Sequence, residues 1–416
     1  MKLVSMLTLT TALAVGVSLT AAIPAAHAKK EKAPAAAKTA APELSAPYRK
    51  AFGELQVALK AANAADIQAK ITAIEPLTTM PDEKYYLGVM RFELSKLTKD
   101  RATTRKAVNE MMSSGSKLMT NMPDLAYNAG ALAYEAGDYP DAIAKLNEAD
   151  RLGSKDVNRY LLGAEANFKS GQNAAGLAIL GKAVAQYKAE GKPAPLDWYR
   201  RALSVALKGK LNAEATQWSR ELVRAYPSPT NWRDALVIYR DGSRLDPLVQ
   251  LDIFRLMRQT KSLSGERDFY DYAEVANARA LPGEAKAIID EGFASGAVPR
   301  TSKAVNEMLA LANSKIGADR ASVAADDKRA RASADGKLAA NTGNAYLAYD
   351  DFPKAIELLN LALSKKGVDA DAVNTRLGIA YARAGQNAES RKAFGAVVGT
   401  RSEIARFWQL YLEINP

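Results

Sequence analysis

The sequence predicts an all-α protein built as a solenoid of stacked helical hairpins. From about Tyr48 onward, apolar residues recur at spacings of three and four, and short breaks of Gly, Pro, Asn or Asp separate the periodic runs. One stretch returns in similar form, as GDYPDAIAKLNEA at 137–149 and as DDFPKAIELLNLA at 350–362. No convincing run alternates apolar and polar residues with period two, so a sheet is not expected.

The first 28 residues have the pattern of a secretory signal peptide. Lys2 precedes an apolar run from Leu3 to Ile23, and the small residues Ala26 and Ala28 flank a cleavage site after Ala28. We therefore expect export to the periplasm or beyond the cell, and no integral membrane segment once the signal is removed. An uncleaved membrane anchor is the alternative.

Composition excludes several kinds of chemistry from the mature protein. The chain has no cysteine, and its one histidine, His27, is lost with the signal peptide. Catalysis by Ser-His-Asp or Cys-His groups, zinc bound by His or Cys, His-ligated haem and disulfides are therefore excluded. No glycine-rich phosphate loop is present either. We expect no catalytic residue, no metal and no cofactor.

The charge of the chain is basic. It has 57 Lys and Arg against 46 Asp and Glu, a net charge of +11, of which Lys2 leaves with the signal. This balance favours anionic partners. Export argues against nucleic acid, which leaves phosphorylated lipids, anionic polysaccharide or acidic proteins. The alternative is that the excess charge only keeps the protein soluble.

Composition also divides the chain into segments. Residues 29–47, KKEKAPAAAKTAAPELSAP, contain too few apolar residues for a core and are expected to be a disordered linker. Residues 48–320 are expected to form clear and degenerate helical repeats. Residues 321–337 are charged and nearly free of large apolar side chains, which predicts either a solvated helix or a flexible joint. Residues 338–416 are expected to form further repeats.

The stretch at 137–149 predicts how one hairpin is made. Gly137 follows a helix-like run over 125–136 and can adopt the left-handed conformation that ends a helix. Asp138 can cap the next helix, and Pro140 fits its first turn. On one face of that helix, small residues allow a close approach to the preceding helix and large ones fill the groove between them; these residues are Ala142, Ile143, Leu146 and Ala149.

The hairpin recurs at a fixed distance. Gly137, Leu146 and Ala149 return 34 positions later as Gly171, Leu180 and Ala183, and Gly343 and Tyr346 return 35 positions later as Gly378 and Tyr381. A period of this length with two helices per unit predicts a stacked solenoid.

These residues resemble the tetratricopeptide repeat (TPR) family. The first-helix pattern is matched by Thr342-Gly343 with Tyr346 and by Leu377-Gly378 with Tyr381, and the second-helix pattern by Ala142, Leu146, Ala149 and Ala355, Leu359, Ala362. The resemblance is strong over 123–190 and 336–400 and weak over 245–335. It implies a right-handed superhelix whose concave groove, lined by first helices, binds partner proteins.

Groove residues are expected where the packing pattern leaves a first-helix side chain free. The predicted partner-binding residues are Tyr127, Tyr134, Glu165, Lys169, Arg200, Lys208, Arg233, Arg240, Asn344 and Arg383. Arginines near Tyr199, Trp232 and Tyr239 could bind an acidic peptide or an anionic sugar, because guanidinium groups make bidentate contacts and stack on rings. The alternative is that they are ordinary surface arginines.

The sequence therefore favours a non-enzymatic, protein-binding scaffold or adaptor of the bacterial cell envelope. A scaffold for export of an anionic polysaccharide is the alternative. An envelope glycan-cleaving enzyme is a third hypothesis; it would depend on carboxylate pairs, which are weak evidence among so many scattered acids.

Overall fold

The computed structural model describes residues 41–243 and 245–416. The predicted signal peptide, its cleavage site at Ala28 and the linker residues up to 40 lie outside this part of the chain. Within it the regular structure is helical, and the β-type pairing found there is one isolated bridge between Asp335 and Lys366. The chain forms two compact units, unit 1 up to Ala194 and unit 2 from Pro195 to Pro416.

Unit 1 is a row of helical hairpins. Over residues 41–194 its helices are α1 Ala46–Ala61, α2 Ala64–Ile74, α3 Pro81–Thr98, α4 Arg101–Ser113, α5 Met122–Glu135, α6 Tyr139–Arg151, α7 Asn158–Lys169 and α8 Asn173–Ala189. Each odd-numbered helix packs on the even-numbered helix that follows it, and each hairpin packs on the next. This arrangement confirms the prediction of stacked hairpins.

Glycines allow the paired helices of unit 1 to approach closely. A Cβ added to Gly88 of α3 would lie 2.7 Å from Cγ of Met111 in α4, and one on Gly130 of α5 would lie 2.6 Å from Cγ of Leu146 in α6. Both distances are shorter than carbon atoms tolerate. The small residues of the repeat pattern are therefore required by helix packing.

The turn between α5 and α6 has the predicted chemistry. Gly137 has φ of +77°, and the amides of Gly137 and Asp138 donate to the carbonyls of Tyr134 and Ala133 at 3.0 and 2.9 Å. The Asp138 carboxylate then accepts a bond of 3.2 Å from the amide of Asp141. The glycine ends the first helix and the aspartate caps the second.

The first helix of unit 1 begins within two residues of the predicted end of the linker at residue 47. Helix α1 starts at Ala46, and the amide of Ser45 donates to Oε1 of Glu83 at 2.7 Å. The other oxygen, Oε2, accepts from the amides of Thr79 and Met80 at 2.8 and 2.9 Å. Burial alone would raise the pKa of Glu83, but the hydrogen bonds that it accepts lower it to about 2.

Unit 2 has more helices and a different plan. In its described residues they are α9 Leu196–Lys208, α10 Asn212–Ala225, α11 Pro229–Gly242, α12 Pro247–Gln259, α13 Gly265–Ala278, α14 Pro282–Ala294, α15 Lys303–Ala332, α16 Lys337–Ala348, α17 Phe352–Ser364, α18 Ala370–Arg383, α19 Asn387–Gly395 and α20 Ser402–Ile414. Four hairpins are recognisable, made by α9 with α10, α13 with α14, α16 with α17 and α18 with α19.

The long helix α15 includes most of the charged segment from the sequence. Residues 321–332 form its last turns, and α16 begins at Lys337. The helix is buried along one narrow stripe, at Val305, Ala312, Val323 and Ala330. Apart from that stripe, α15 is largely exposed to solvent.

The last helix, α20, returns to earlier helices of unit 2. It packs against α10, α12, α18 and α19. The ring of Phe407 lies 6.4 Å from that of Trp232 and 5.9 Å from that of Tyr239, both in α11. The side-chain amide of Gln259, at the end of α12, donates to the hydroxyl of Tyr411 at 2.8 Å. Helix α20 therefore joins early and late helices of unit 2.

Candidate partner-binding grooves

Helix α12 is buried on all of its sides. Every residue from Leu251 to Met257 is buried, including the two charged residues Asp252 and Arg255. An amphipathic surface helix would leave one face exposed, whereas a helix that is apolar all round belongs in an interior. In unit 2, this segment of the chain is therefore an interior helix.

Arg255 fixes α12 to two other helices, α14 and α16. Its Nε and Nη2 donate to the two oxygens of Glu284 in α14, at 2.8 and 2.7 Å. Its Nη1 donates to Oδ1 of Asn344 in α16 at 3.1 Å and to Oδ1 of Asp252 at 3.3 Å. The second oxygen of Asp252 accepts from Nη1 of Arg401 at 2.9 Å. One guanidinium thus joins α12, α14 and α16 through charged hydrogen bonds.

The buried charges of this network hold each other ionised. Burial alone would raise the pKa of Glu284, but Arg255 and a bond of 2.7 Å from the hydroxyl of Tyr272 lower it. Burial would lower the pKa of Arg255, but the Glu284 carboxylate raises it. Each partner is therefore stable inside unit 2 only while the other remains charged.

Three of the predicted groove arginines in unit 2 are paired with carboxylates of neighbouring residues. Arg233 makes a two-point contact with the carboxylate of Asp268, at 2.8 and 3.1 Å, which ties α11 to α13. Arg240 bonds Asp241 at 2.9 Å and lies over the ring of Phe254. Arg383 pairs with Asp350 at 2.8 Å. The sequence reasoning identified these cations but not the partners that they contact.

The remaining predicted groove residues of unit 2 are placed differently. Asn344 is buried in the Arg255 network and does not face solvent. Arg200, near the start of α9, and Lys208, at its end, are exposed.

In unit 1 the predicted residues occupy partly exposed faces of two first helices that pack against each other. Tyr127 and Tyr134 are seven residues apart on α5, and Glu165 and Lys169 are four apart on α7, so each pair shares a helix face. The first three side chains are half-buried and Lys169 is exposed. Burial raises the pKa of Tyr127 to about 12, and the carboxylate of Asp156 adds to the shift.

The described residues offer no group of three or more acidic, histidine or cysteine side chains that could hold a metal ion. Over the same residues, no helix combines the length and the apolar character that crossing a membrane would need. The arrangement that is present is one of packed helices and exposed first-helix side chains.

The sequence reasoning missed the residues that organise unit 2. Asp252, Arg255, Glu284, Arg376 and Arg401 are all buried, yet none was singled out. One signal was available: in LVQLDIFRLM, at 248–257, apolar residues fall on every side of a helix, with opposite charges three positions apart. Such a segment is better suited to an interior than to a repeat with one exposed face.

These observations define the class of the protein as a TPR-like α-solenoid of helical hairpins. The solved structures that it resembles include TPR proteins, at low identity and low structural overlap. The TPR2AB-domain:pHSP90-complex of yeast Sti1 is 18% identical, with 72% of this chain and 100% of that chain covered and a TM-score of 0.23. A tetratricopeptide repeat protein from Parabacteroides merdae is 12% identical, with 70% and 98% covered and a TM-score of 0.24. The TPR domain of P58(IPK) is 12% identical, with 89% and 98% covered and a TM-score of 0.23.

No protein-family model matches the sequence, and no curated protein matches it either. Overlap as low as that of the solved structures carries no argument about individual residues or partners.

Proposed function

We propose that the protein is a non-enzymatic binding scaffold that holds a segment of a partner protein on the first-helix surface of unit 1. The observation that carries this proposal is the contrast between the two units. In unit 2 the inner position is filled by α12, whereas all described helices of unit 1 belong to hairpins and none is inserted between them. The partly exposed faces of α5 and α7 are therefore the surface best suited to a partner.

The chemistry of this surface suits a peptide. Tyrosines supply large, rigid contact area with a polar end, which is why they are enriched at sites that dominate binding energy. Glu165 and Lys169 add one acid and one base within a helical turn. Since packed hairpins hold these side chains in place before binding, little ordering is required of the scaffold. A peptide with an apolar anchor and a basic or acidic neighbour fits this pattern.

We place the scaffold in the cell envelope, on the basis of the signal-peptide pattern at residues 1–28. A role in export of an anionic polysaccharide is the alternative. It receives less support, because carboxylates already contact Arg233, Arg240 and Arg383. Of the predicted groove cations, exposed Lys169, Arg200 and Lys208 are left to support it.

The proposal can be tested with a photo-crosslinking amino acid placed at Tyr127 in intact cells. The same probe at exposed Ala178, on the second helix α8, serves as the outer-face control. We expect one protein to be captured from position 127 and not from 178. A polysaccharide captured from 127, or the same products from both positions, would argue against the proposal.

The captured protein should then bind the purified scaffold directly. Tyr127→Ala should raise its Kd by about tenfold or more if the tyrosine is a central contact. Tyr187→Ala, the same change on the second helix α8, is the matched control, and circular dichroism should show that both variants are folded. Equal Kd values for Tyr127→Ala and the wild type would contradict the proposed surface.

A further inference from the structure

Four elements of unit 2 bring polar side chains together around Asp252. Arg255 comes from α12, Arg401 from the short 3-10 turn Gly399–Arg401, Arg376 from α18 and Tyr239 from α11. Arg255 and Arg401 bond directly to the two oxygens of Asp252. Helix α18, which carries Arg376, packs against the turn that carries Arg401. The carboxylate of Asp252 acts to raise the pKa of both Arg376 and Tyr239.

The charges at this place do not balance. Asp252 divides its carboxylate between Arg255 and Arg401, and Glu284 is held by Arg255 and Tyr272. Arg376 is 6% exposed, and its Nε has no hydrogen-bond acceptor within residues 41–243 and 245–416. Three buried guanidinium groups thus share two buried carboxylates. A buried charge without a partner is unfavourable, and burial lowers the pKa of Arg376.

Other nearby groups do not supply the missing acceptor. Asp369, whose field also reaches Arg376, already caps α18 by accepting from the amide of Ala372 at 3.1 Å. The hydroxyl of Tyr239 is a second buried polar group without a partner in the described chain. Burial raises the pKa of Tyr239 to about 12, so its hydroxyl keeps its proton and remains a donor at neutral pH.

The cluster is closed on one side and slightly open on the other. Asp252 and Arg255 are 0% and 1% exposed, whereas Arg376 and Arg401 are 6% and 5% exposed. Arg376 and Arg401 are therefore the members of the cluster that lie nearest to solvent.

We propose that Arg376, together with Arg401 and the hydroxyl of Tyr239, binds one small oxyanion, a carboxylate or a phosphate group, at this point of unit 2. A guanidinium presents parallel N–H donors that match two oxygens of either group. The anion supplies the acceptor that Arg376 lacks and balances the third positive charge. The site is separate from the peptide surface proposed for unit 1, and neither depends on the other.

The test is thermal unfolding of the full chain with sodium phosphate or sodium acetate as probes, against sodium chloride at equal ionic strength. Tryptophan fluorescence is the readout, because all four tryptophans of the sequence lie in unit 2. At ten times the Kd of the site, we expect the Tm to rise by about 3–6 °C. A shift with either anion supports the site and identifies the preferred group.

Arg376→Met should abolish this rise, and in chloride its Tm should equal or exceed that of the wild type, because an unpaired buried charge has been removed. Arg279→Gln removes a positive charge from an exposed position of unit 2 and should keep the full rise. Its response also measures the general stabilisation that phosphate gives any protein. Equal anion responses in these two variants, or none in the wild type, would overturn the proposal.

Isothermal titration calorimetry of the wild type gives a second measurement that does not depend on any variant folding. We expect saturable heat with phosphate or acetate, and weaker binding in Arg376→Lys, which keeps the charge but loses the parallel donors. The absence of saturable binding of both anions to the wild type would equally overturn the proposal.

Discussion

Replacing Arg255 by methionine tests whether α12 is held inside unit 2 by its buried ion pairs. Methionine keeps much of the side-chain length but none of the charge, so Glu284 would lose two hydrogen bonds of 2.8 and 2.7 Å. Asp252 would lose one of its two partners. Removing one member of a buried pair costs about 3–5 kcal/mol, because the other charge stays buried without compensation. For a unit of this size the corresponding fall in Tm is about 6–20 °C.

The assay is urea unfolding followed by tryptophan fluorescence. Trp198, Trp218, Trp232 and Trp408 are all buried in unit 2, so their emission reports the unfolding of that unit. Far-UV circular dichroism follows the helices of both units. We expect the fluorescence midpoint of Arg255→Met to fall while the part of the dichroism change that belongs to unit 1 keeps its midpoint.

A second substitution separates loss of an ion pair from loss of packing. In the double variant Arg255→Met with Glu284→Gln, the buried carboxylate is gone, and we expect about 2–3 kcal/mol of the lost stability to return. Packing alone predicts that the two single effects add. A loss below about 1 kcal/mol in Arg255→Met, or additive effects in the double variant, would refute the role assigned to the pair.

Three further predictions concern other parts of the fold. The pKa of Glu83 is about 2 in the folded protein and ordinarily 4.5, so its stabilisation of unit 1 is complete above pH 4.5 and is lost as the pH falls toward 2. Urea unfolding followed by circular dichroism should show a loss of about 3 kcal/mol over this range, and Glu83→Gln should not show it. Gly378→Ala should destabilise unit 2, because the added Cβ would lie 2.7 Å from the ring of Phe394. Gly53→Ala should stabilise unit 1 by about 0.5–1 kcal/mol, because a Cβ there meets no described atom within contact distance. Changes of the same sign for the two variants in thermal unfolding would contradict the packing argument. Arg233→Ala should lower the stability of unit 2 by about 1 kcal/mol in the fluorescence assay by unpairing Asp268, and an unchanged midpoint would return Arg233 to the class of free surface arginines.

The hairpins could be predicted because their determinants are local. Gly137 and Asp138 specify a turn within a few residues, and Gly130 and Leu146 meet across a single hairpin. The periodic pattern of the sequence predicts such contacts, because the residues that make them recur at fixed spacings. The fold class therefore followed from the sequence, whereas the way unit 2 departs from a simple row of hairpins did not.

That departure depends on contacts between distant positions. Arg255 meets Asn344 of α16, and Asp252 meets Arg401 near the C-terminus. No spacing rule relates residues so far apart, so the apolar segment around Arg255 indicates an interior helix but not the helices that it contacts. The same limit applied to Arg233, whose partner Asp268 lies on another helix. The sequence suggested which cations could line the groove. Only the three-dimensional structure shows which of these cations are already paired with other residues.

The two units differ in their capacity to bind a partner segment, because α12 occupies the interior of unit 2 and no helix is inserted between the hairpins in the described part of unit 1. A partner segment could enter unit 2 at this place only by displacing α12, which would expose a continuous apolar helix and separate Arg255 from Glu284. Breaking a buried pair alone costs about 3–5 kcal/mol, and a partner would have to supply this free energy in addition to the ordinary cost of association. A small ion bound at Arg376 would not need to displace α12 or to break the pair of Arg255 and Glu284. Binding of a macromolecule is therefore better assigned to unit 1, and any ligand of the inner part of unit 2 should be small enough to leave α12 in place.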